Sequence, residues 1–210
     1  CLLGVVLWGS LGNQGDLPGA RTTHSTGADG AMAAQLLLDR FGIPLRRLES
    51  PVLSDSLVDV GVLWIIDPLI PLNSAEIGAI EEWVSAGGVL VSTGLPGRLF
   101  EDLRPHDVFG GPYAWSRRFA RRRVAPGPST TEVPDAHAGL PLAAGVTQLR
   151  LKTGLTLEAD TEDERDDFFR PLLVDTSGIR IAMRRVDDGA VIWLADSSFL
   201  SNELIGYQSN

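Results

Sequence analysis

Lysine is almost absent from this chain: Lys152 is the only one in 210 residues. That excludes a Walker-type phosphate loop, which needs Gly-Lys-Ser/Thr, and leaves Schiff-base chemistry a single possible side chain. Cysteine is equally scarce. Cys1 is the only one, so the body of the chain has neither an internal disulfide nor a cysteine zinc site. His24, His106 and His137 stand in unrelated loops, without His-x-x-His or Glu-x-x-His spacing. A Gly-x-Ser-x-Gly elbow is also missing, so a hydrolase triad has no support. Positive charge is in deficit, with 18 Lys and Arg against 27 Asp and Glu and a net charge of −9. A general nucleic-acid partner is excluded, because phosphate neutralisation needs a basic surface.

What is present is an alternation of apolar runs and polar turns. Hydrophobic residues make up 44% of the chain, enough for one globular core. Met32, Leu36, Leu37 and Phe41 predict a helix over Ala28–Phe41 with one buried stripe, ended by Gly42. Pro44–Leu48 reads as an edge strand and Val60–Ile66 as a strand buried on both faces, ending in Asp67-Pro68. Asn73 or Ser74 caps a second helix, Ala75–Ala86, with Ile77, Ile80, Trp83 and Val84 inward. Gly87-Gly88 then turns into the strand Val89–Ser92. The end is orderly too: a hairpin over Leu172–Arg184, a turn at Asp187-Asp188-Gly189, the strand Ala190–Ala195, and a helix starting near Asn202.

Two regions read differently. Leu95 to about residue 170 is rich in proline and irregular, an insertion or lid with strands near Phe119–Val124 and Val146–Leu151. It carries the arginines of Arg117–Arg123 and the acidic run Glu158–Asp167, which lacks the glycine of an EF-hand loop. The arginines either pair with that acidic run or meet lipid headgroups or an acidic partner. The first stretch, Cys1–Trp8, is apolar and gives way to Gly- and Pro-rich residues. It reads as the remnant of a membrane anchor followed by a tether, residues 1–20; the alternative is a first strand, Leu2–Leu7. Residues 21–210 then form a single α/β domain.

In an open parallel sheet, strand ends gather at one crevice. Asp67, Thr93 and Asp196 each lie just past such an end and offer two carboxylates and a hydroxyl. Ser25, Thr26 and Gly27 add hydroxyls and free backbone N–H groups at a helix N-terminus, a natural anion seat. Gly94, Ser198 and Asn202 complete the candidate ligand-binding set. Capping of turns and helices would use the same residues equally well. The two aspartates could also serve a hydrolase with a divalent cation.

Ser25-Thr26-Gly27-x-x-Gly30 before a Leu-rich helix resembles an uncharacterised bacterial family of unknown function, usually anchored between transmembrane helices. Asp67-Pro68, Trp83-Val84-x-x-Gly87-Gly88 and Asp196-Ser197-Ser198-Phe199-x-Ser201-Asn202 strengthen the likeness over 24–94 and 189–203. That family is similar in fold to class I glutamine amidotransferases and to auxiliary subunits of gliding-type ABC transporters. The resemblance implies a Rossmann- or flavodoxin-like open sheet, mostly parallel, with a β-containing insertion at 95–170. In amidotransferases a cysteine sits in the turn after the strand matching Val89–Val91. Here that turn is Ser92-Thr93-Gly94, and Asp196-Ser197-Ser198 stands where a His/Glu pair would follow. The expectation is a non-catalytic binding module with no cofactor, at the cell membrane through flanking segments and on the extracytoplasmic side. Its partner would be a small molecule or a protein of a membrane complex, and a structural docking module is the further alternative.

Overall fold

The computed structural model describes residues 5–8, 23–48, 51–66, 72–93, 119–123, 129–132, 148–151, 155–159, 170–175 and 178–205. In chain order the strands and helices are β1 (Val5–Trp8), α1 (Met32–Arg40), β2 (Leu45–Leu48), β3 (Val62–Ile66), α2 (Ser74–Ser85), β4 (Val89–Thr93), β5 (Phe119–Arg123), β6 (Ser129–Glu132), β7 (Gln148–Leu151), β8 (Leu155–Ala159), β9 (Arg170–Asp175), β10 (Gly178–Val186) and β11 (Gly189–Leu194). Nine strands form one open sheet in the order β2-β1-β3-β4-β11-β10-β8-β5, with β9 also on β10; β6 and β7 pair separately.

The first five strands of that order are parallel. They follow the doubly wound pattern in which β1 is central and β2 returns beside it. The remaining pairings in the sheet are antiparallel. A mostly parallel sheet is therefore corrected to a mixed one. The reason is local: tight turns such as Asp187-Asp188-Gly189 reverse the chain at once, and a parallel neighbour needs a long crossover. Asp187 takes φ 49° in this turn, a conformation aspartate tolerates better than most residues.

In the first apolar stretch the described residues take the strand alternative. Val5–Trp8 is a strand hydrogen-bonded to β2 on one side and β3 on the other, where the sequence favoured the end of a membrane helix. Among the described residues no helix is long and apolar enough to cross a membrane. Within the region at 95–170, β5 and β8 extend the main sheet. Register sets Glu158 opposite Ala120 and between the strand positions of Arg121–Arg123 and Phe119. The acidic and basic segments thus begin as neighbours, as the pairing alternative requires.

The two helices obey different rules. Asn73 Oδ1 accepts from the N–H groups of Ala75 and Glu76 at 3.0 Å each, and Glu76 reaches back to the N–H of Asn73 at 2.9 Å. This capping box leaves Glu76 buried, its other oxygen accepting from Val52 N at 3.2 Å. Ile77, Ile80 and Val84 pack into the main core with Leu63, Ile65, Val191 and Trp193, as their spacing predicts. Trp83 donates its indole N–H to the Val60 carbonyl at 3.0 Å. A Cβ on Gly88 would stand 2.3 Å from that indole, so glycine is what lets β4 start against it.

α1 departs from expectation. It starts at Met32 rather than Ala28, and the stripe meant for the core faces outward: Leu36 is 60% exposed and Phe41 71%. Ala34 is its buried residue instead. Beside that residue, Gln35 accepts from Arg47 of β2 through its side-chain oxygen at 2.8 Å. Gly42, at φ 71°, ends the helix as read, donating to the Asp39 carbonyl at 2.9 Å.

Candidate functional site

The parallel strands run in one direction, so α1 begins, and β4 and β11 end, at one edge of the sheet. Thr93 closes β4 opposite Leu194, and Asp196 lies two residues beyond Leu194 on the same edge. Asp67 and Gly94 lie outside the described residues, so the meeting of Asp67 with Thr93 and Asp196 is not part of the described geometry.

The loop before α1 and the segment after β11 are laced together, although some 170 positions apart in sequence. Asn202 N donates to the Gly30 carbonyl at 2.7 Å, and Glu203 N to the Ala28 carbonyl at 3.1 Å. The Asn202 amide nitrogen donates to the carbonyls of Ser25 and Gly27, at 3.0 and 2.6 Å. Its Oδ1 accepts from Ala33 N at 2.7 Å. Ala31, the N-cap of α1, has no side chain able to cap, so Asn202 supplies the missing acceptor from the far end of the chain. Ser25, one of the hydroxyl residues ahead of the helix, bonds elsewhere: its Oγ accepts from Gly27 N at 3.3 Å.

This changes what the loop can do. One N–H of the helix N-terminus is already occupied by an amide oxygen, so the simple anion seat is partly filled. A Cβ on Gly30 would lie 2.1 Å from the Ser25 carbonyl oxygen; the second glycine of the Ser-Thr-Gly-x-x-Gly motif is thus a demand of loop closure. Thr26 and Gly27 remain exposed on the rim and Ser25 half-buried.

Asp196 is 3% exposed. Its two oxygens accept from Ser198 N and Ser198 Oγ, both at 2.8 Å. The carboxylate braces the turn in which Ser198–Leu200 forms one 3-10 turn. The helix expected from Asn202 is a hydrogen-bonded turn up to Ile205 in the described residues. Ser197, Ser198 and Ser201 are fully buried. Two groups outside the candidate set stand out: the hydroxyls of Ser92 on β4 and Ser201 are buried with no hydrogen-bond partner among the described residues. A polar residue at the end of the apolar run Val89–Val91 was the available signal for Ser92. Among the described residues no three His, Cys, Asp or Glu side chains gather as a metal site.

The comparisons with known proteins fit this picture. The model of the family described as Domain of unknown function (DUF4350) matches residues 23–210. The chain belongs to that family. No curated protein matches it. Among solved structures it is similar to the mmIFT52 N-terminal domain, at 15% identity and a TM-score of 0.63 over 97% of this chain and 90% of that one. It is also similar to the cytoplasmic protein STM1381 from Salmonella typhimurium, at 12% identity and a TM-score of 0.61 over 98% and 94% of the two chains. A third likeness is to a ThuA-like protein from Bacteroides uniformis, at 13% identity and a TM-score of 0.55 over 96% and 86%. At these identities the likeness is one of fold alone. The structure and the family match thus support a family of unknown function with an open mixed α/β sheet.

Proposed function

We propose that this DUF4350 domain is a non-catalytic binding module whose ligand or partner meets the edge formed by the 25–30 loop and the 196–202 segment. The observation that carries this reading is the Asn202 lacing. It holds two polar segments from opposite ends of the chain as one preorganised rim, with Thr26 and Gly27 outermost. Asp196 is buried and braces its own turn, one donor of Ser198 on each oxygen. This weighs against the hydrolase reading with Asp67 and Asp196. An amidotransferase-like descent is the finer reading of the fold; it rests on the motif resemblance, with Ser92-Thr93 at the end of β4 standing where those enzymes carry a cysteine. A place at the cell membrane rests on the motif resemblance at 24–94 and 189–203.

Thermal-shift screening of a metabolite collection, with Thr26→Lys as the paired variant, tests the reading. We expect one ligand class to raise the melting temperature of the wild type and to fail on the variant, whose own melting temperature is unchanged. Ligands that stabilise both proteins equally, or turnover abolished by Asp196→Asn in a folded variant, would overturn it.

A further inference from the structure

We infer that a second surface, independent of the strand edge, docks a basic peptide segment of a partner protein. The turn at Ser54–Leu57 and the outer side of α2 enclose an open groove of about 390 Å³. Its floor is Ala75, Gly78 and Ala79, its wall Leu53, and its rims carry Asp55 and Glu82. Leu53 is 50% exposed, which leaves an apolar side chain beside the groove.

Gly78 is the telling residue. It lies inside α2, where glycine is the poorest helix former after proline. The fold does not require it: a Cβ built there meets nothing within 4 Å. Gly88 and Gly189 are the contrast, because a Cβ on either would collide with its neighbours. What the bare backbone at Gly78 does provide is room for something outside the domain to approach the helix closely.

The lining chooses the partner's chemistry. Asp55 and Glu82 are both exposed acids, and no described cation is in the lining, the nearest being Arg46, which donates to the Ser56 carbonyl in the same turn. A segment with an apolar side chain set against Leu53 and over Gly78, flanked by arginine or lysine, meets shape and charge together. The arginine-rich strand β5 stands on the far side of the sheet from β3. It lies five strands away from β3 in the sheet order, a distance of roughly 24 Å.

A displayed random-peptide library panned against the domain, with Gly78→Leu as counter-selection, tests this. Enriched peptides should combine one apolar residue with arginine or lysine. Their affinity should fall at least tenfold on Gly78→Leu, and fall on Glu82→Lys and with added salt, while both variants melt no lower than the wild type. Three outcomes would overturn the inference. One is that no peptide discriminates the variants, another that the selected peptides are acidic or uncharged. The third is self-association of the wild type that Gly78→Leu abolishes, which would make a second copy the occupant. Thr26→Lys should leave the selected peptides bound, so this result and the ligand screen fail separately.

Discussion

The two helices of this domain have similar sequences of apolar residues and opposite solutions. α2 carries its own cap, its own capping-box glutamate and an inward stripe, so nearly everything that places it is within twelve positions of its start. α1 borrows its cap from Asn202 and turns Leu36 and Phe41 to solvent. The lesson is that periodicity reports which residues share a face, and not which face the sheet takes. α1 sits near the sheet edge, over β2, where Gln35 meets Arg47 and Ala34 is buried in place of the leucine stripe.

The difference can be broken from either side. The largest effect should come at the seat of α2. A Cβ on Gly189 would stand 2.0 Å from the Val84 carbonyl oxygen and 2.4 Å from that of Gly88. Neither is a flexible side-chain end, so Gly189→Ala should cost about 3 kcal/mol or more, read as a fall in the denaturation midpoint. Next comes the borrowed cap. Asn202→Ala removes three side-chain hydrogen bonds and should cost about 2 kcal/mol, against about 1 kcal/mol for Asn73→Ala. Hydrogen exchange should rise at Gly27–Ala33 in the first variant and at Ala75–Glu76 in the second. Equal costs, or exchange unchanged at Ala33, would show that α1 does not depend on its distant cap.

The smallest effect concerns Glu81, half-buried on α2. Burial, reinforced by the neighbouring Glu82 charge, raises its pKa from 4.5 to about 7. The folded state therefore keeps a proton that the unfolded chain has released between those two values. Stability from this group is full below pH 4.5 and is lost as pH rises to about 7. Glu81→Gln should flatten that decline and stabilise the domain by about 1 kcal/mol at pH 8, after allowance for solvent screening. Melting curves at pH 4.5 and 8 decide it; an unchanged gap between the two proteins would sink the assignment.

Legibility in the sequence followed the range of the forces. The Asn73 cap, the inward residues of α2, the Gly42 stop and the Asp187-Asp188-Gly189 turn all depend on contacts a few residues apart, and each stands where the pattern put it. The strands Val62–Ile66, Val89–Thr93 and Gly189–Leu194 were also readable, because burial on both faces demands unbroken apolar runs. Where the pattern left two readings open, the choice needed a neighbour from elsewhere. Val5–Trp8 resembles the end of a membrane helix until β2 and β3 flank it. Ser25 and Thr26 could equally cap or bind, and it is Asn202 that supplies an acceptor to Ala33 N; Asp196 takes the turn-capping alternative through Ser198.

By itself, then, the chain determined its local elements and their order, since backbone dihedrals, caps and turn residues act within one or two turns. Only the tertiary structure decided the antiparallel half of the sheet, the outward face of α1 and the lacing of the two chain ends. Those choices depend on hydrogen bonds and packing between segments up to 177 positions apart, for which no local pattern carries a signal.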